Sequence, residues 1–132
     1  MFDRIERDKI ALVLLLFLSS SLAEGSMKSI SANDVLAKIM DGGRIDLDQY
    51  IIHGNLTRNH FLDNKIISEI DIKNCEIEGF VDFSALTFEK QVNFLNTSFD
   101  KDTIFSNSRF YGGTSFSNAR FHGNASFVGT NF

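Results

Sequence analysis

The sequence predicts an all-β solenoid behind a short N-terminal capping α-helix, preceded by a segment built for export. Three observations carry this. Ten phenylalanines, Phe83, Phe88, Phe94, Phe99, Phe105, Phe110, Phe116, Phe121, Phe127 and Phe132, follow one another at gaps alternating between 5 and 6 residues. Extended backward, the same lattice lands on Ile77, Ile72, Ile66 and Phe61, all apolar, and fails at Asn55. The stretch from Asn93 onward is crowded with Asn, Ser, Thr and Gly, which favour turns over helix interiors.

An apolar period of 11 residues also fits a right-handed helical coiled coil. Composition decides against it, because the region lacks the Ala, Leu, Glu and Lys of a long helix. A regular strand is excluded as well, since its period is about 2. A chain that turns every few residues and sends one large side chain inward per side is a solenoid.

Composition narrows the function classes. With 132 residues, 43% of them hydrophobic, the chain is long enough for one domain. Its 13 basic and 17 acidic residues form no polybasic run, so no nucleic-acid partner is expected. The single cysteine excludes an internal disulfide.

The elements follow in chain order. Residues 1–23 have the layout of a signal peptide: a charged start, the apolar run Ile10 to Leu18, then Ser21 and Ala23 as small residues before a cut at Glu24. As a helix, Ile10 to Ala23 covers roughly 21 Å of a ~30 Å hydrocarbon core, so it is too short to span. Export to the outside or the cell surface is the expectation, with a membrane anchor at residues 10–23 as the alternative. Membrane contact is expected only through this segment, if it is uncleaved. Residues 27–43 form the short amphipathic capping helix: Ser31 is its N-cap with Asp34 three residues on, and Ile30 and Val35 form a hydrophobic staple. Val35, Leu36, Ile39 and Met40 make its apolar face, and Gly42-Gly43 stop it. Residues 44–60 are a transition, and 61–132 are the β-helix.

The position two before each large residue holds Val81, Leu86, Val92, Thr97, Thr103, Ser108, Thr114, Ala119, Ala125 and Thr130, nearly all small or β-branched. A large central residue with a small one two places earlier resembles the pentapeptide-repeat proteins, in the phenylalanine-centred variety with an extra residue alternating in. The resemblance covers Phe61 to Phe132. It implies a right-handed, four-sided β-helix with ladders Phe61/Phe83/Phe105/Phe127, Ile66/Phe88/Phe110/Phe132, Ile72/Phe94/Phe116 and Ile77/Phe99/Phe121. Cys75, two before Ile77, is a small inward filler.

The search for chemistry is mostly negative. His53, His60 and His122 lack ligand-like spacing, and no nucleophile elbow, phosphate loop or dinucleotide fingerprint is present. No catalytic, cofactor-binding or metal residues and no cofactor are expected. The acids Glu69, Asp71, Glu76, Glu78 and Asp82 read as a solvated surface. Asn55, Asn96 and Asn124 head glycosylation sequons, relevant if the chain is exported.

The leading expectation is an exported, non-enzymatic structural or protein-interaction module. Its partner is an unknown protein or a second copy, met through the uncapped C-terminal end at Phe116, Phe121, Phe127 and Phe132. Some members of the resembled family imitate duplex DNA and inhibit type II topoisomerases, which is the alternative. It is the weaker one, because net charge is −4 from Phe61 to Lys90 but +1 from Gln91 to Phe132, leaving no continuous anionic stripe. An enzyme of unidentified type stands last.

Overall fold

The computed structural model describes residues 26–132, so the signal-peptide and anchor expectations for residues 1–23 lie outside the described residues. The described residues open with β1 (Lys28–Ser31) and α1 (Ala32–Met40), then wind into stacked coils. The first coil holds β2 (Ile45–Asp48), β3 (Tyr50–His53) and β4 (Leu56–Thr57), a 3-10 turn at Arg58–His60, and β5 (Lys65–Ile66). The second holds β6 (Ile70–Lys73), β7 (Glu76–Ile77), β8 (Val81–Asp82) and β9 (Thr87–Phe88). The third holds β10 (Val92–Asn93), β11 (Ser98–Phe99), β12 (Thr103–Ile104) and β13 (Arg109–Phe110). The last described coil holds β14 (Thr114–Ser115), β15 (Arg120–Phe121) and β16 (Ala125–Ser126).

Each strand pairs in parallel only with its counterparts in adjacent coils, giving four sheets ordered β1-β3-β7-β11-β15, β2-β6-β10-β14, β4-β8-β12-β16 and β5-β9-β13. The result is a four-sided β-helix. The core is the column inside it, from Ile45, Ile52 and Leu56 through Ile70, Ile77 and Phe83 to Phe94, Phe99 and Phe105, all at most 2% exposed.

Two boundaries differ from the sequence expectation. Residues 44–60 are not a transition, because Ile45 already pairs with Ile70, Ile52 with Ile77 and Leu56 with Val81. The lattice failed at Asn55 for a physical reason. Asn55 meets Phe80, 25 residues on, whereas Asn74 meets Asn96, 22 residues on. The excess equals the 3-residue turn Arg58–His60, which is inserted between β4 and Phe61 and puts the first coil out of phase.

The second difference is at the cap. Residues 27–43 are not all helix: Lys28–Ser31 is a strand in register with Tyr50–His53. Ile30 therefore heads the ladder of Ile52, Ile77, Phe99 and Phe121 as well as lying ahead of the N-cap. The helix itself starts as its sequence dictates, with the Asp34 amide donating to Ser31 Oγ at 3.0 Å. It ends in a Schellman motif: Gly42 has φ +75°, its amide donates to Ile39, and the Gly43 amide donates to Lys38. Ala32, Val35, Leu36 and Ile39 are buried against the first coil. Met40, expected on that face, is 49% exposed.

The alternation of five and six residues has a backbone cause. Left-handed residues sit at Asn64, Asn74, Ala85, Asn96, Asn107, Asn118 and Gly129, one inside every five-residue step of the lattice and none inside a six-residue step. A left-handed residue tightens the corner, so one fewer residue closes it. Asn and Gly tolerate that conformation, which other L-residues adopt at a cost of about 1–2 kcal/mol. This signal, Asn two places after the central residue, is readable in Phe94-Leu-Asn96, Phe105-Ser-Asn107 and Phe116-Ser-Asn118.

Candidate interaction surfaces

The ladder residues form the inside of the rod. Phe61, Phe83, Phe105 and Phe127 lie one over another with ring centroids 6.3, 6.0 and 5.5 Å apart. Ile66 pairs with Phe88, whose ring stacks on Phe110 at 4.6 Å, and Phe110 stacks on Phe132 at 5.1 Å. Ile72 lies two residues beyond Ile70, the partner of Val92, and Phe94 stacks on Phe116 at 5.4 Å. Ile77 pairs with Phe99, which stacks on Phe121 at 4.9 Å. Burial fades toward the last coil: Phe116, Phe121 and Phe127 are half-buried and Phe132 is 67% exposed, with Val128 beside it also exposed. Each of these rings rests on the coil before it.

Small polar residues after the corners do a specific job. Ser108 Oγ donates to the Phe83 carbonyl at 2.6 Å, Thr130 to Phe105 at 2.8 Å and Thr97 to Ile72 at 3.2 Å. Each caps the carbonyl of the central residue in the neighbouring coil, a group that burial would otherwise strand. Cys75 fills the same place, with Sγ 3.0 Å from the Lys73 carbonyl and 3.6 Å from that of Leu47. Burial pushes its thiol above the ordinary range, so it stays protonated and unreactive at neutral pH.

The sequon asparagines have different surroundings. Asn96 occupies a left-handed corner, and its Nδ2 donates to Asn74 Oδ1, while Asn74 Nδ2 donates to Asp48, each at 2.8 Å. This amide ladder uses the atom a glycan would need. Asn55 is exposed, and its Oδ1 accepts the Phe80 amide. Asn124 is exposed, with its backbone amide donating to Asp102.

The acidic residues divide between faces. On the sheet of β2 and β6, Asp71 lies 3.2 Å from Lys73 and 3.9 Å from Arg44, and Glu69 lies 3.6 Å from Arg44. The hydrogen bond and charge of Asp71 hold the Lys73 ammonium above its ordinary range. Among the described residues, no three His, Cys, Asp or Glu side chains converge as a metal site.

The sheet of β1, β3, β7, β11 and β15 carries the denser polar row. His53 Nδ1 lies 2.5 Å from Glu78 Oε2, and His53 Nε2 lies 3.2 Å from Ser29 Oγ. Farther along, His122 Nε2 lies 3.0 Å from Ser98 Oγ. Sequence spacing alone could not find this row, because its members meet only once the register is known. His60 is apart from it, on the 3-10 turn beside Thr57. A separate apolar patch lies where α1 meets the turn: Leu62 is fully exposed, and Met40 and Ile67 are half so.

Among the described residues, no helix is long and apolar enough to cross a membrane. No curated protein and no solved structure matches the chain. A family model described as Pentapeptide repeats (9 copies) does match, over residues 94–132. Those residues make the most regular part of a four-sided coil that the parallel registers carry back to Ile45, and over 94–132 the chain carries pentapeptide repeats.

Proposed function

We propose that the chain is an exported, non-enzymatic structural and protein-interaction module, secreted or held at the cell surface, which associates with a second copy through the last described coil. The family supports a structural or interaction role in general. One observation carries the specific reading. The rings of Phe116, Phe121, Phe127 and Phe132 each stack on a ring of the preceding coil, and among the described residues Phe132 and Val128 are largely exposed. A second copy presents the same four rings, so an isologous end-to-end contact covers both faces at once and closes as a dimer. Sedimentation of the full chain tests this. The wild type is expected to dimerise at tens of micromolar, and a Phe127→Lys, Phe132→Lys variant to remain monomeric. A wild-type monomer, or a dimer unaffected by the lysines, overturns the contact. Export rests on the pattern of residues 1–23. It predicts that protein recovered outside the cytoplasm begins near Glu24, and intact Met1 in a cytosolic fraction refutes it.

A specific observation favours a second reading. Ser29, His53 and Glu78 stand in the order of nucleophile, base and orienting carboxylate that serves acyl transfer. On that reading the rod is an esterase-like enzyme. A fluorophosphonate probe separates the two: labelling of Ser29 that is lost in His53→Gln supports the enzyme, and absence of labelling supports the module.

A further inference from the structure

The outward residues that follow Ile52, Ile77, Phe99 and Phe121 are His53, Glu78, Asp100 and His122. They stack at successive coils, because the Glu78 amide donates to the Ile52 carbonyl, that of Asp100 to Ile77 and that of His122 to Phe99. Glu76 stands on the same sheet, two residues before Glu78 and in register with Ser98. Three carboxylates thus occupy two adjacent rungs, spaced about 4.8 Å apart by the strand separation. One imidazole lies at each end of the row. The titratable and charged groups on and just after the strands of this sheet are His53 at the end of β3, Glu76 and Glu78 on and after β7, Asp100 with Lys101 and Asp102 after β11, and Arg120 with His122 on and after β15.

Like charges stacked directly on neighbouring strands repel, and parallel coils offer no sideways escape. We propose that this row is an acid-reinforced seam: proton uptake within the stack of carboxylates relieves their repulsion and tightens the rod as its surroundings acidify from neutral. Ser29 extends the seam to the cap through its contact with His53, so the reinforcement runs from β1 to the last described coil.

The Glu76 carboxyl is held above its ordinary 4.5, first by burial and then by the charge of Asp100. A carboxyl raised in the folded state makes folding more favourable when protonated, and that contribution is lost as pH rises through the folded value. Acidification from neutral toward that value therefore restores it.

Thermal denaturation of the full chain at pH 7.5 and 5.5, followed by circular dichroism, tests the seam. The wild-type midpoint is expected to shift upward by about 3 °C on acidification, corresponding to a modest change for a domain of this size. Asp100→Asn is expected to raise the midpoint at pH 7.5 and to remove most of the shift. Glu76→Gln should do the same, which keeps the test intact if one variant folds poorly. His60→Gln, away from the row, should retain the full shift. A wild-type midpoint that is flat or falls on acidification overturns the proposal. So does a shift that survives both carboxamide variants.

Discussion

The first coil encloses its core with Ile45, Leu47, Ile52 and Leu56, the third with Val92, Phe94, Phe99, Phe105 and Phe110, and all nine are buried. The first is rimmed by Asp46, Asp48, Arg44 and Lys65, the third mainly by Asn, Ser and Thr. The pairing is nonetheless parallel and continuous from one to the other. What the coil requires is therefore an apolar group at each inward position and a corner residue that accepts φ above zero. It does not require phenylalanine. Uniform chemistry makes the later coils recognisable as repeats, and the family match begins at Phe94 although the coil begins at Ile45.

The largest effect should come from the aromatic ladder. Phe105 is fully buried and contacts the rings of Phe83, Phe94, Phe110, Phe116 and Phe127. Phe105→Ala is expected to destabilise by about 3–5 kcal/mol in urea unfolding, against about 2–5 kcal/mol for Ile52→Ala in the first coil. A much smaller loss at Phe105 than at Ile52 would mean that the later coils are loosely packed despite their regularity.

Next in size is a backbone approach. A Cβ at Gly79 would lie 1.9 Å from the Gly54 carbonyl oxygen, so Gly79→Ala forces the first and second coils apart. The expected cost is about 1–3 kcal/mol. In contrast, Gly113 has open space at that position, and Gly113→Ala should leave the unfolding midpoint nearly unchanged.

Smaller still is the loss of a carbonyl cap. Ser108→Ala leaves the Phe83 carbonyl without its 2.6 Å hydroxyl donor and should cost about 1–2 kcal/mol. Ser106→Ala, on a half-buried residue bonded to Ser126, should change stability by no more than about 0.5 kcal/mol. Equal effects at the two serines would contradict the assignment of inward and outward positions.

A further effect has the opposite sign. Ala85 is the alanine among the left-handed corners otherwise held by Asn and Gly in the repeats, with φ +56°. Ala85→Asn is expected to stabilise by about 0.5–1 kcal/mol, measured by the same unfolding curves.

The sequence made the later half of the fold legible because each inward position repeats one bulky type at fixed spacing. The first coil was hidden by Arg58–His60, since three extra residues shift the phase without disturbing any pair. β1 was hidden because Ile30 serves two roles, and the helix start at Ser31 explained it sufficiently. Met40 followed the helical stripe, yet as the last residue of α1 it is left half-exposed. The seam of His53, Glu78, Asp100 and His122 left no local trace, because its members are more than 20 residues apart and only the coil length brings them together.

Stacking by coils also fixes how the molecule answers a mechanical load. Each regular coil takes up 22 residues but advances the rod by a single strand spacing. Pulled from its C-terminal side, the chain should unwind turn by turn, each released coil paying out about 70 Å of slack while those beneath keep their pairing. The cap formed by β1 and α1 sits on the other end and is reached last. Under tension such a rod behaves as an extensible tether that lengthens in even steps.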